Sequence, residues 1–524
     1  MEQAAPGVRP RRGWGTGLSS PRAVFWAAFA LVALMSTLWA VASPLFSVPD
    51  ENAHVAKAVA QLRGEVIGEA VEGRKHLVVD LPEGYDYNHG MMCYLFIPEH
   101  SAECGVDFGD GTGEQDFETW VATYNPIYYA VVGWPSLLTD DGIVAVYAMR
   151  ILSALLCSLL LAWAFQLALA GSRARWMPFG AAFLALPMVV YFAGAVNPNG
   201  VEIAAGAALW LGVLRLLESF GTADDPHARP RWYLWLVVTI SASLLVNARA
   251  IGPLWVLVIA VACSAVVGWR SAGRLFATRG SYPWLVAIAA ASVFSLAWTL
   301  GTGGIASQAD TADAPLVGAS PLVGVAVMIR HTGDWVQQVL GVFGWLDTPL
   351  PFEAYLLVAV ALGVLVVLAA AGSDRRGAIV VIGSLALALL LPALIQGFQI
   401  SRTGLIWQGR YGLILYLAVP IAAAWALSRG SGDRLAFLSS RLTWIGVSLL
   451  AAFSSIAYVW VMRRYTQGLT TARSDEFPSS PWQPPIDDIA LCVLYVVVAL
   501  GFAVWIGRLG MLAARGVEAS RADG

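Results

Sequence analysis

Residues 23–54 read AVFWAAFALVALMSTLWAVASPLFSVPDENAH. An apolar run of about twenty residues, Ala23 to Ala42, is long enough as a helix to cross a bilayer. Arg9, Arg11, Arg12 and Arg22 precede it, which places the N-terminus in the cytoplasm. Ala40-Val41-Ala42 resembles a signal-peptidase site, but the run is long for a signal peptide, so the first span is expected to stay attached. Directly after it come Pro49, the adjacent acids Asp50 and Glu51, Asn52, Ala53 and His54, where the chain should emerge on the far side.

The same pattern recurs along the chain. Of 524 residues, 58% are hydrophobic and 13% charged, and the mean hydropathy is +0.66. These values exclude an ordinary soluble domain. Further apolar runs begin near Ile143, Trp176, Val201, Trp232, Ile251, Trp284, Ala354, Ala378, Tyr411, Trp444 and Ile489, which with the first makes about twelve spans. Arg173/Arg175, Arg229/Arg231, Arg270/Arg274/Arg279, Arg375/Arg376, Arg429/Arg434/Arg441 and Arg508/Arg515 fall in alternate connections. That alternation puts both termini inside a plasma membrane. The fold class is therefore an all-α polytopic transmembrane helical bundle. It divides into a basic cytoplasmic N-terminus (1–22), one transmembrane domain (23–508) and a cytoplasmic tail (509–524). No nucleic-acid partner is expected; the bilayer is.

A large first extracytoplasmic loop, 43–141, holds roughly half the acids and only Lys57, Arg63, Arg74 and Lys75 as bases. In a helix following Pro49, Asp50, His54, Lys57 and Gln61 share one face, and Val55, Val59 and Leu62 the opposite one. Such an amphipathic helix lies on the membrane with its acids aimed at a cavity. The plainer alternative is capping, with Ser47 as N-cap and Asp50 completing a capping box. Residues Asp107 to Glu118 read as a solvated acidic loop, since their spacing does not match an EF-hand. Tyr124 to Leu138 reads as a short interfacial helix. If this loop faces an oxidising compartment, Cys93 and Cys104 form a disulfide; otherwise they are two thiols. Cys157, Cys263 and Cys492 lie inside apolar runs as small hydrophobes. Segment 321–353 reads as an external amphipathic helix, because counting it as a span would move Arg375 and Arg376 outside. Residues Arg463 to Asp488 form a last, Pro- and Ser-rich outer loop.

On this topology the costly polar residues fall at the outer ends of helices. They are Asp50, Glu51 and His54; Asn197-Pro198-Asn199-Gly200 with Glu202; Asn247 and Arg249; Asp347 in Gly344-Trp345-Leu346-Asp347-Thr348-Pro349; and Arg402, Gln408 and Arg410. Each has a plain reading. Asn-Pro-Asn-Gly is a turn and cap, the arginines snorkel to lipid phosphates, and Asp347 anchors its loop. Taken together they outline an outer cavity with carboxylates on one wall and arginines on another. Arginines suit a phosphate, and a carboxylate can take the proton of an incoming hydroxyl. Adjacent helical residues point about 100° apart. One acid can thus be the base while the other holds a metal, a sugar hydroxyl or an arginine.

These motifs, with Gln408-Gly409-Arg410-Tyr411 and the Cys93/Cys104 loop, together resemble a bacterial family of membrane proteins known as domain of unknown function 2142. That family in turn resembles the GT-C superfamily of membrane glycosyltransferases, which use polyprenyl-phosphate sugars. The resemblance implies a GT-C-like fold and transfer of a sugar to a cell-envelope glycan, lipid or protein acceptor on the outer face of the membrane. It implies Asp50 as catalytic base and Glu51 as its partner or a metal ligand. The superfamily is split on metals, so a divalent cation (Mg or Mn) on Asp50 and Glu51 stays open. Chemistry alone assigns His54, Lys57, Asn197, Asn199, Glu202, Arg249, Asp347, Arg402, Gln408 and Arg410 to substrate binding. A flippase for a lipid-linked glycan and a non-catalytic envelope scaffold are the competing readings. An intramembrane zinc protease is disfavoured, since Glu51-x-x-His54 lacks the first His of His-Glu-x-x-His.

Overall fold

A computed structural model describes residues 19–522 apart from 86, 88–89, 110, 112, 170–174, 222–230, 304–313, 430–434 and 470–481. The basic residues Arg9, Arg11, Arg12, Arg173, Arg229 and Arg434, and most of the last outer loop, lie outside the described residues.

The chain is a helical membrane bundle. In order, its helices are α1 (Pro21–Ala42), α2 (Glu51–Leu62), α3 (Pro126–Val132), α4 (Gly142–Ala168), α5 (Met177–Ala182), α6 (Pro187–Ala193), α7 (Pro198–Gly221), α8 (Arg231–Ala248), α9 (Gly252–Val267) and α10 (Trp269–Ala277). After these come α11 (Tyr282–Gly301), α12 (Pro321–Arg330), α13 (Thr332–Gly341), α14 (Phe352–Gly372), α15 (Arg375–Thr403), α16 (Gly409–Tyr416), α17 (Ala418–Arg429), α18 (Ala436–Gln467) and α19 (Asp488–Ala522). Ten helices among the described residues are long and apolar enough to cross a membrane, with α16 and α17 counted as one. Two of the expected spans are not single helices. The run from Trp176 is split into α5, a 3-10 turn and α6, because Pro187 cannot continue the helix before it. The run from Ile251 ends at Val267 and turns by 115° into α10. The expected tail at 509–524 has no boundary at 508, since α19 runs on to Ala522. The span expected from Trp444 starts at Ala436.

The two ends of the bundle differ. At one end, arginines close the exposed carbonyls of helix C-termini, where four acceptors lack intrahelical partners. Arg231 donates to the Ser219 carbonyl, Arg274 to Phe220 and Arg376 to Val266, while Arg429 pairs with Glu218 at 2.8 Å. The other end carries residues 43–141 and is here the loop end. There β1 (Leu77–Pro82) pairs antiparallel with β2 (Glu114–Thr119), Leu77 opposite Thr119. This small sheet replaces part of the expected acidic loop. Helix α3 and a 3-10 turn over Trp134–Leu137 occupy the stretch expected to be helical, and Cys93 and Cys104 form a disulfide.

Two buried arginines tie this loop to the bundle. Arg150 on α4, fully buried, donates five hydrogen bonds: Nε to Glu51 Oε1 (2.8 Å), one terminal nitrogen to the Ala40 and Ser43 carbonyls, and the other to the Pro44 carbonyl and Glu51 Oε2 (2.5 Å). That uses every donor a guanidinium has. Glu51 also accepts from the backbone N–H groups of Phe46 and Val196, so both its oxygens are doubly engaged. Arg464 on α18 donates to the carbonyls of Tyr94, Ile97 and His100 and to Thr348 Oγ1, and lies 3.5 Å from Asp347.

Helix α2 is not the surface helix the sequence suggests. Every residue from Glu51 to Ala60 is buried, polar face included. Its polar face meets α3, where His54 bonds to Tyr129 and Gln61 donates to the Pro126 carbonyl. Asp50, and not Ser47, occupies the N-cap position, with φ 65° and no capping hydrogen bond from its side chain. Segment 321–353 is two short helices and a strand pair, β3 (Val342–Phe343) with β4 (Thr348–Pro349). Helix α12 packs on α15 where Gly324 meets Gly397; a Cβ on Gly324 would stand 2.9 Å from the Gly397 Cα.

Removing one member of the Glu51–Arg150 pair strands a charge in a dry interior, which costs about 3–5 kcal/mol. Arg150→Met and Glu51→Gln are each expected to lower the thermal midpoint of the detergent-solubilised protein sharply. The double variant Arg150→Met/Glu51→Met is expected to recover part of that loss, so the two single losses should not add.

Candidate functional site

The loop end draws five elements around Asp50. Its backbone is fixed from both sides. Glu51 next to it is clamped by Arg150, and the Pro49 carbonyl accepts from Asn197 Nδ2 at 2.9 Å. Asn197 Oδ1 in turn accepts from the Asn199 N–H, an Asx turn that opens α7. Asp50 is thus held in a left-handed conformation that Asp tolerates better than most residues but that still costs energy. Its carboxylate points away from its own helix start and meets Arg410, Oδ2 to Nη2 at 2.5 Å.

Arg410 sits in the first turn of α16. Its guanidinium lies over the rings of Tyr411 (5.3 Å) and Phe192 (5.8 Å). It is buried, and neither its Nε nor its other terminal nitrogen has a hydrogen-bond partner. Arg249, in the turn between α8 and α9, also lies over the Tyr411 ring, 4.3 Å from its centroid, and donates to Asn199 Oδ1 at 2.7 Å. Glu202, one turn into α7, is buried and accepts from Trp255 Nε1 at 2.9 Å. His54, one turn along α2 from Asp50, bonds through Nδ1 to the Tyr129 hydroxyl at 2.8 Å and meets the Tyr124 ring edge-on.

Electrostatics follow from this packing. Burial would raise the Asp50 carboxyl, but Arg410, with help from Arg249, holds it below the usual Asp value. His54 is pushed down to about 3: burial outweighs the pull of Asp50, and the two arginines add to burial. It is a neutral imidazole at any physiological pH. Lys57, a turn further on and buried, falls to about 8 through burial alone, its amine bonded to the Val66 carbonyl.

Of the residues singled out from the sequence, Asp50, His54, Asn199, Glu202, Arg249 and Arg410 meet in this pocket. Asn197 shapes it from behind, and Lys57 lies at its margin. Gln408 is the N-cap of α16, and its side-chain oxygen is buried without a partner. Three residues stand apart. Glu51 spends both oxygens on Arg150 and two backbone N–H groups, so it is a positioning residue with no oxygen left to react. Asp347 accepts from the Phe96 N–H and from Thr348 Oγ1 and pairs with Arg464, which anchors the disulfide loop. Arg402 is exposed on the last turn of α15. The adjacent acids do not fit a shared metal: each faces its own arginine, and among the described residues no group of three His, Cys, Asp or Glu side chains is placed to hold an ion. Sequence reasoning missed Tyr129, Tyr411, Trp255 and Arg150. The signal for Arg150 was present, since a charge inside an apolar run is costly and needs a buried partner.

The neutral His54 makes a pH prediction. The unfolded chain takes up a proton on this imidazole near pH 6.5, and the folded one only near 3. The unfolded state therefore binds more protons in that window, and folded stability falls as pH drops through it. The thermal midpoint in detergent should decline from about pH 6.5 downward, and His54→Gln should flatten the slope between pH 6.5 and 4.5.

A comparison with curated proteins returns no match. Residues 33–419, from within the first span to the start of α17, match the family model DUF2142, described as a predicted membrane protein. The match covers the candidate pocket and most of the helices around it, and by it the chain belongs to the DUF2142 family of membrane proteins.

Proposed function

We propose that this protein transfers a sugar from a polyprenyl-phosphate donor to a cell-envelope glycan, lipid or protein acceptor. The reaction takes place at the loop end, on the outer face of the plasma membrane, with the chemistry of a GT-C-type glycosyltransferase. The observation that carries this reading is Arg410: a buried guanidinium with two unpartnered nitrogens beside a carboxylate. Unpaired buried donors cost a few kcal/mol. A phosphate oxygen would satisfy them, and Arg249, over the same Tyr411 ring, adds a second cation for the same group.

In the proposed reaction an acceptor hydroxyl oxygen attacks the anomeric carbon of the donor sugar. The carbon–oxygen bond to phosphate breaks, and the polyprenyl phosphate leaves with the electron pair. Arg410 and Arg249 offset the charge that builds on the leaving phosphate. The hydroxyl proton passes to Asp50. In the empty pocket Arg410 holds Asp50 ionised but weakly basic. When the phosphate draws on Arg410, that restraint weakens and the carboxylate becomes a better base. Neutral His54 and its Tyr129 partner offer hydrogen bonds to sugar hydroxyls without adding charge.

A transport reading would expect polar groups where the helices break in mid-membrane. The break between α5 and α6 is formed by Phe183, Leu184, Ala185, Leu186 and Pro187, and it offers no polar side chain.

The test is transfer by the purified protein in liposomes, from labelled polyprenyl-phosphate sugars to an envelope extract. Asp50→Asn is expected to lower transfer at least about 100-fold, the range for loss of a general base. Arg410→Ala should abolish donor binding, and Arg402→Ala should leave both untouched. Wild-type rates in Asp50→Asn would rule the mechanism out.

A further inference from the structure

Below the pocket, α7, α9, α15 and α17 enclose an apolar groove of about 600 Å³. We infer that this groove holds the isoprenoid chain of the lipid phosphate whose head group Arg410 and Arg249 bind; the inference rests on the donor reading above and places the donor's tail.

Three helix faces run from the pocket toward the groove, with Ile414 packed on Gly206 between them. On α16–α17, Arg410, Ile414, Ala418, Ile421 and Trp425 fall on one face at steps of three or four, and the last three line the groove. On α7 the face runs Glu202, Gly206, Trp210, Leu214, and on α9 it runs Trp255, Val258, Ala262, Val266. Each stripe begins with a pocket residue and ends with groove residues. From Arg410 to Ala418 is about 12 Å of helix rise, a distance that roughly ten chain carbons cover. The joint between them is Trp210, whose Nε1 donates to the Ile414 carbonyl.

The groove is built for hydrocarbon. Its polar atoms are already spent: Cys263 donates to the Trp210 carbonyl, Ser384 to Val381, and Trp425 Nε1 to Glu218. Its far end is closed where α9 turns by 115° and Arg376 reaches across from α15 to the Val266 carbonyl. Its side is open between α9 and α15, in the middle of membrane-crossing helices, where Leu257, Val261 and Ile379 are exposed. A chain can therefore enter sideways from the bilayer while its phosphate stays at the loop end. At Gly383 on α15, a groove residue, an added Cβ would meet no atom within 4 Å.

That open space gives the test variant: Gly383→Leu adds bulk at the groove from a position whose Cβ meets no neighbour, and it favours the helix. The probes are a long-chain polyprenyl phosphate with a diazirine on its chain, and a one-isoprene phosphate that has the head but no tail. Binding is read as a rise in the thermal midpoint and as cross-linked peptides. The expected result is cross-linking to α9 and α15, at least about tenfold weaker long-chain binding in Gly383→Leu, and unchanged binding of the one-isoprene phosphate. Equal long-chain binding in wild type and Gly383→Leu, with cross-links elsewhere, would overturn the groove assignment and leave the head-group reading standing. Failure of both phosphates to bind the wild type would remove that reading and the inference with it. Labelling of the groove by a diazirine phosphatidylcholine that polyprenyl phosphate does not displace would show bulk lipid there, and cross-links between two copies of the chain would show a protein neighbour; either result overturns the inference.

Discussion

The structure depends on one buried ion pair. Arg150 in α4 and Glu51 at the start of α2 satisfy each other and, between them, three carbonyls and two N–H groups of the chain around residues 40–51 and 196. A charge pair this far from water is poor as a source of net stability, because desolvation consumes most of the attraction. Its value lies in geometry. With five donors and four acceptor positions filled, neither side chain has a second arrangement of similar energy. The turn it clamps is the one that throws Asp50 into a left-handed conformation and away from its own helix. The backbone behind the Asp50 carboxylate is thus held by the acid next door.

The pocket that results is polar but nearly balanced in charge. Two arginines face two carboxylates, with a neutral imidazole and several phenols between. What tips it toward an anion is that Arg410 is not fully used. In the proposed transfer, the carboxylate and the incoming phosphate compete for one guanidinium, and that competition links binding of the donor to the basicity of the group beside it.

Much of the fold was readable from hydropathy alone. Apolar runs of membrane length and alternating arginines depend on local composition, and Arg231, Arg274, Arg376 and Arg429 from those alternate connections do lie at helix ends away from the loop end. What the sequence hid was set by distant contacts. Asp50 and Glu51 look interchangeable as neighbours in a motif, and only partners 360 and 99 residues away separate their roles. Asp347 looked like a site residue because it is polar at the right end of the bundle, yet its oxygens serve the Phe96 N–H, Thr348 and Arg464. The periodicity of α2 suggested a helix lying on the membrane, but a polar face can be buried as completely as an apolar one when groups on it find partners, as His54 does in Tyr129 and Gln61 in the Pro126 carbonyl. The break near Pro187 and the turn after Val267 were masked because hydropathy does not distinguish a straight span from a broken one.

The anchoring of the disulfide loop by Arg464 has a consequence for how the molecule is made. The carbonyls of residues 94, 97 and 100 are synthesised more than 360 residues before the guanidinium that binds them. A ribosome adding residues in sequence delivers the loop early and its fastener almost last. Until α18 enters the membrane, those carbonyls lack the guanidinium that binds them. The last fastening of the loop end therefore waits on the final helices, so a chain cut short before α18 would carry all the pocket residues and lack the Arg464 clamp on the loop above them.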